Sequence, residues 1–323
     1  MKILRRLGKM KVAILFPGQG AQHAGMGLEL YNYYTETKQI FDQADELLDW
    51  NLKEVCFENK NEIINQTRYT QAALFTTNYG IYKALEAGGI KPSCVLGFSL
   101  GEYDAIVASG VLGFEETLAL VEERAKLMEE CAIRYPGGMY AVIGMKRTQV
   151  DEICEVVSQR LGSWVSVAND NCEGQVTIAG TKEALEEAAI ALKEAGAKRV
   201  IPLKVSGAFH SLLMEQAAKE LAKKLDDLTF NEPTCPIVSN VTAQFMNAKE
   251  VKENIPLQVI KGVRFRESIM NLVAQGFDTF IEVGPKCTLS GLVKKINQTV
   301  DVYNIENLET LQNVIEKVGV THA

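Results

Sequence analysis

Val95-Leu96-Gly97-Phe98-Ser99-Leu100-Gly101-Glu102 is the stretch around which this chain is organised. Residues 93–98 form a short apolar run after Pro92 and read as a buried strand. Leu100, Tyr103, Ile106 and Val107 then recur at helical spacing. Ser99 therefore falls where a strand turns sharply into a helix, flanked by Gly97 and Gly101 in the G-x-S-x-G pattern of a nucleophile elbow. Such a turn brings two backbones close, which is why glycine belongs on either side. The helix N-terminus would offer free N–H groups and partial positive charge beside Ser99, where an oxyanion needs support. The bland reading, a glycine-rich turn with an incidental serine, stays open on this motif alone.

Outward from the elbow, the 323 residues suit one large domain or two ordinary ones. A hydrophobic share of 47% and a charged share of 23% are those of a globular chain with a full core. The net charge of −7 and the lack of a basic run argue against nucleic acid as a partner. No apolar stretch approaches the roughly 18–20 residues needed to cross a bilayer. The basic segment 1–11 lacks the apolar core and cleavage site of a secretory signal. Seven widely spaced cysteines without a C-x-x-C pair point to reduced thiols in the cytoplasm and to neither a disulfide framework nor a zinc site.

The pattern predicts a first strand at 11–16, a glycine-rich loop at 17–22, and helices over 38–48, 70–87 and 114–128. From Met139 the chain reads strand, helix, strand, strand, helix, strand up to Val205, a ferredoxin-like βαββαβ unit. Mixed α/β structure then resumes, with strands at 236–241, 277–283 and 302–305 and helices after His210, over 265–274 and after Gly284-Pro285. The fold class that follows is α/β: a large α/β-hydrolase-like domain of residues 1–137 and 207–323, with a small ferredoxin-like subdomain of residues 138–206 inserted in it.

Serine is a weak nucleophile and needs a base. The chain has three histidines, His23, His210 and the penultimate His322. His210 lies where the inserted unit returns to the large domain, near the cleft in which sites form, and is the favoured partner. His23, in the glycine-rich loop, could line the site or face solvent. No carboxylate stands out as a triad acid, and a carbonyl could fix the imidazole tautomer equally well. Arg124 flanks the apolar stripe of its helix. It is either a stem covering apolar surface or a half-buried guanidinium awaiting a carboxylate. A serine hydrolase and a non-catalytic scaffold are the competing readings, and Arg124 counts against a hydrolase of neutral esters.

Six motifs in order carry a family resemblance: Phe-Pro-Gly-Gln-Gly-Ala-Gln at 16–22, Gly-Phe-Ser-Leu-Gly-Glu-Tyr at 97–103, Arg-Ala-Lys-Leu-Met at 124–128, Asn169 with Gly174-Gln175, Gly-Ala-Phe-His-Ser at 207–211 and Glu-Val-Gly-Pro at 282–285. From about Lys11 to the last strand the chain resembles the malonyl-CoA:acyl carrier protein transacylases, the acyltransferases of fatty-acid synthesis. The resemblance implies that Ser99 takes the malonyl group as an ester and that His210 is general base, then acid. It makes the N–H groups of Gln19 and Leu100 the oxyanion hole and Arg124 the clamp for the malonyl carboxylate. It assigns the main-chain carbonyl of Gln258 to orienting the histidine, Asn169 to lining the cleft, and Phe209 to malonyl selectivity. The implied partners are malonyl-CoA and acyl carrier protein, both substrates, with no cofactor and no metal, in a monomer. Phe98 departs from the family pattern, which has histidine before the nucleophile; that bears on pocket polarity, not on reaction class. The carrier protein is acidic, so Lys261, Arg264, Arg266, Lys294 and Lys295 are candidates for its docking surface.

Overall fold

The computed structural model describes residues 10–60 and 62–319; the basic segment before Met10 and His322 lie outside them. Among the described residues there are ten strands: β1 (Val12–Phe16), β2 (Cys94–Gly97), β3 (Gly137–Ile143), β4 (Val165–Cys172), β5 (Gln175–Thr181), β6 (Arg199–Pro202), β7 (Ile237–Val238), β8 (Phe245–Met246), β9 (Thr279–Val283) and β10 (Asp301–Ile305). They form two sheets, in the orders β10-β9-β1-β2-β7-β8 and β4-β5-β3-β6. The first is parallel except for β8.

All five residues of β1 and of β9 are buried. Side chains alternate across a strand, and β1 divides accordingly. Val12, Ile14 and Phe16 enter one apolar cluster, while Ala13 and Leu15 enter another with Phe265, Phe280 and Leu289. Both faces of this sheet are therefore covered, which is why its central strands read as unbroken apolar runs. The loops that follow β1 and β2 leave the same carboxyl edge, side by side, because Leu15 pairs with Leu96 and Phe16 with Gly97.

The elbow forms there. β2 ends at Gly97, a helix begins at Gly101, and Ser99 sits between them at φ 53. A Cβ on Gly97 would lie 1.8 Å from the Gly101 carbonyl carbon. Gly97→Ala is expected to destabilise the fold by about 3 kcal/mol or more, because backbone and not a flexible side chain must yield. Urea unfolding of the variant checks this; a loss below about 1 kcal/mol would show that the elbow can relax.

The second sheet is antiparallel, and its helices, Arg147–Leu161 and Lys182–Glu194, pack on one face. Val142, Val165, Val176 and Ile178 join that core. The opposite residues, Met139, Ala141, Gln175 and Thr177, face a cavity. On β4 a register shift between Val167 and Asn169 sets two residues against one on β5. Such a bulge reverses the alternation, so Val167 packs with the core while Asn169 lines the cavity. Next to the bulge, β4 also bonds the large sheet's side of the molecule: Asp170 N–H donates to the Val263 carbonyl at 2.9 Å and Val263 N–H to that of Ala168 at 2.8 Å.

The strand expected over 236–241 is only Ile237–Val238, and helix Ala248–Ile260 was not anticipated. Pro256 lies inside that helix, and an internal proline removes one N–H from the ladder. Its start carries a capping box from Asn247 and Glu250. No helix of the described residues is long and apolar enough to cross a membrane.

Candidate active site

Ser99 lies at the floor of a cavity of about 310 Å³ between the two sheets. The turn is fixed from several sides. Ser99 N–H donates to Asn240 Oδ1 at 2.7 Å, and the Ser99 carbonyl accepts from Gln258 Nε2 at 2.7 Å. Asn240 Nδ2 donates to the Gly97 carbonyl at 2.6 Å. A non-glycine residue at positive φ persists only where its surroundings over-determine it, and these bonds do so.

His210 is buried and, like Ser99, has a positive φ, 58. Its Nε2 is 2.7 Å from Ser99 Oγ, and its Nδ1 is 2.7 Å from the Gln258 main-chain oxygen. A carbonyl only accepts, so Nδ1 carries the proton and Nε2 is left to accept from the serine hydroxyl. The acceptor is available because Gln258 lies in the last turn of its helix, where carbonyls have no intrahelical partner. Burial, followed by the Arg124 charge, pushes the His210 pKa down to about 4, against the hydrogen bond to Gln258. His23 is exposed and does not line the cavity.

Arg124, which the sequence leaves as either a stem over apolar surface or a half-buried guanidinium, is 1% exposed. Its Nη1 donates to Gln71 Oε1 at 2.5 Å, its Nη2 to Gln258 Oε1 at 3.0 Å and to Ser99 Oγ at 3.3 Å, and its guanidinium lies 5.3 Å from the Tyr103 ring centre. Two neutral amides and the Ser99 hydroxyl accept its protons and the Tyr103 ring lies beside it, so the cation is held in place with no carboxylate in contact with it. Burial lowers its pKa from the ordinary arginine value.

Gln19, Leu100, Phe98, Asn169 and Phe209 also line the cavity. A Cβ on Gly18 would come within 2.4 Å of the Phe98 carbonyl, so the loop after β1 lies directly against the elbow. The Phe98 ring meets Phe265 edge-on, with centroids 5.6 Å apart, and packs, partly buried, against the apolar cluster that holds Ala13 and Leu15. Arg264 pairs with Glu267, and Arg266 with Asp170 and Glu173. Lys295 Nζ donates to Gln175 Oε1 at 3.1 Å, so three of the candidate docking cations are engaged within the chain, and Arg266 ties the helix over 265–274 to β4.

The acyl transferase domain family model matches residues 14–318. This chain belongs to the acyl transferase family. The acyltransferase is 42% identical, over 95% of its length and 96% of the relative's, to the malonyl CoA-acyl carrier protein transacylase of Bacillus subtilis. The crystal structure of the Streptococcus pneumoniae enzyme of that kind is 43% identical, with a TM-score of 0.91 over 95% of this chain and all of that one. A malonyl-transacylase in complex with a type II PKS acyl-carrier protein is 37% identical, with a TM-score of 0.91 over 95% of this chain and 99% of that one.

Three polar residues of the acyltransferase site escaped the sequence reading: Gln71, Glu102 and Asn240. Gln71 stands on the buried face of helix Thr67–Ala87, where a polar residue amid apolar neighbours was a usable signal. Glu102 is buried beside the elbow, and its carboxylate accepts from Asn240 N–H at 2.7 Å and Gln258 Nε2 at 2.6 Å. Burial pushes the Glu102 pKa up to about 7, opposed by those two bonds and by Arg124.

Proposed function

We propose that this acyltransferase moves a malonyl group from malonyl-CoA to the phosphopantetheine thiol of acyl carrier protein through an ester on Ser99. The single observation that carries this reading is a buried, carboxylate-free arginine 3.3 Å from a serine that is hydrogen-bonded to a base. Malonyl-CoA presents a thioester carbonyl to the serine and a free carboxylate to the arginine. His210 Nε2 takes the proton as Ser99 Oγ attacks. The tetrahedral oxyanion is met by the N–H groups of Gln19 and Leu100, and CoA leaves as His210 returns the proton to its sulfur. The carrier thiol then runs the same steps in reverse order. The names of the relatives and the solved carrier-protein complex support this substrate pair.

The site also supports the finer reading of the fold. The large domain is α/β-hydrolase-like in placing its serine on a strand–helix turn. The small unit, with strand order β4-β5-β3-β6, is a ferredoxin-like insertion that roofs the cleft and brings Asn169 to it.

Malonyl-CoA alone is expected to leave a malonyl adduct on Ser99, seen by peptide mass spectrometry. The rate of acylation has a predicted pH dependence. The base is the neutral imidazole, and a lowered pKa keeps it neutral into acid. Measured with acetyl-CoA, which has no carboxylate for Arg124, the rate is therefore expected to hold from pH 8 to about 5 and to fall as pH approaches about 4. An inflection at the ordinary histidine value, about 6.5, would mean that His210 is solvated in the working enzyme. An adduct on any other residue would end the Ser99 assignment.

A further inference from the structure

Glu102 is a buried acid for which the transfer steps above have no use. It touches neither His210 nor the cavity, yet it occupies one position in a directed chain. Asn240 N–H donates to Glu102 Oε1 and Gln258 Nε2 to Glu102 Oε2; Gln258 Oε1 in turn accepts from Arg124 Nη2. The two ends of this chain are a backbone N–H and a guanidinium, and both can only donate. Gln258 contributes one acceptor, Oε1, and two donors on Nε2, the second of which goes to the Ser99 carbonyl. The remaining member must then accept on both sides, and among side chains of this length only a carboxylate does.

We propose that Glu102 is a positioning residue that, together with the Ser99 carbonyl, fixes the sense of the Gln258 amide and thereby holds the Arg124 guanidinium where the carboxylate of the acyl group lands. This rests on the reading of Arg124 as the malonyl clamp. A glutamine at 102 would set its NH₂ against either the Asn240 N–H or Gln258 Nε2. Asn240 is anchored on Gly97 and Ser99 by its own side chain, so the elbow resists. The disturbance passes to the Gln258 side chain and on to Arg124. The main-chain carbonyl that orients His210 is on the same residue but stays in the helix backbone.

The experiment measures kcat/KM for malonyl-CoA and for acetyl-CoA in E102Q, Q258M and R124A, with thermal melting of each. Acetyl has no carboxylate and reports on the serine–histidine machinery alone. E102Q is expected to lower malonyl transfer roughly 10- to 100-fold, the effect of one buried polar group left facing a like partner, and acetyl transfer less than about 3-fold. Q258M keeps the carbonyl for His210 but loses the amide and its bond to the Ser99 carbonyl, so it should lower both transfers, and malonyl transfer at least about tenfold more than acetyl transfer; it also serves if E102Q does not fold. Equal losses on both substrates in Q258M or in a folded E102Q, or no loss on either, would overturn the proposal. R124A separates the two ideas: if it too loses both substrates equally, the clamp reading itself has failed, whereas a split in R124A alone refutes only the role of Glu102.

Discussion

Ser99→Ala is expected to lower malonyl transfer by a factor on the order of 10⁶, the scale of losing a serine that works as a unit with its histidine. The geometry gives two reasons for so large an effect. Ser99 Oγ is the oxygen at the end of the His210–Gln258 relay, so no other hydroxyl inherits the base. A direct thiol attack on malonyl-CoA would also need both thiol substrates placed at once in the one cavity in which Ser99 lies. His210→Ala should cost a comparable factor, and the double variant little more than either, since each removes the same step. Transfer to holo carrier protein, followed by radiolabel or mass, measures all three. Activity within about tenfold of wild type in Ser99→Ala would mean that acyl transfer here does not pass through this serine. Additive losses in the double variant would mean that the two side chains act separately.

The part of this site that a sequence reveals is the part set by local chain geometry. A strand-to-helix turn with glycine at its base is written in residues 93–107, and the described structure forms it within a residue or two. His210 followed from scarcity; its Nε2 lies 2.7 Å from Ser99 Oγ. The third member of the relay could not be read from residue type, because a main-chain carbonyl carries no signature; only the family resemblance pointed to Gln258. The depth of Arg124 was hidden for another reason. Its partners, Gln71 and Gln258, come from helices 53 and 134 residues away in sequence, and periodicity along one helix sees only its own faces. Asn169 is similar: strict alternation from Val165 and Val167 would have sent it into the core, and only the bulge turns it to the cleft. Helix Ala248–Ile260 was obscured by Pro256, which argues against a helix interior on propensity alone although the capping residues argue for one.

Arg124→Ala is the substitution that distinguishes a malonyl enzyme from a serine hydrolase on the same frame. Truncating one partner of a buried, hydrogen-bonded charge pair typically costs about 2–5 kcal/mol, so malonyl kcat/KM should fall by roughly 30- to several-thousand-fold. Acetyl transfer should change by less than about tenfold, because acetyl brings no charge and loses only the 3.3 Å contact between Nη2 and Ser99 Oγ. Arg124→Lys should recover a fraction of malonyl transfer: an ammonium keeps the charge but not the two parallel donors that match a carboxylate. A second readout follows from electrostatics. The Arg124 charge is one of the causes that hold the His210 pKa down, so its removal should shift the acid limb of the acylation profile toward higher pH in Arg124→Ala and leave it nearly in place in Arg124→Lys. Loss of malonyl and acetyl transfer by one common factor, with an unmoved acid limb, would reduce Arg124 to a structural cation. A large malonyl-specific loss together with the shifted limb would place the guanidinium between the acyl carboxylate and the catalytic pair, where its charge acts on both.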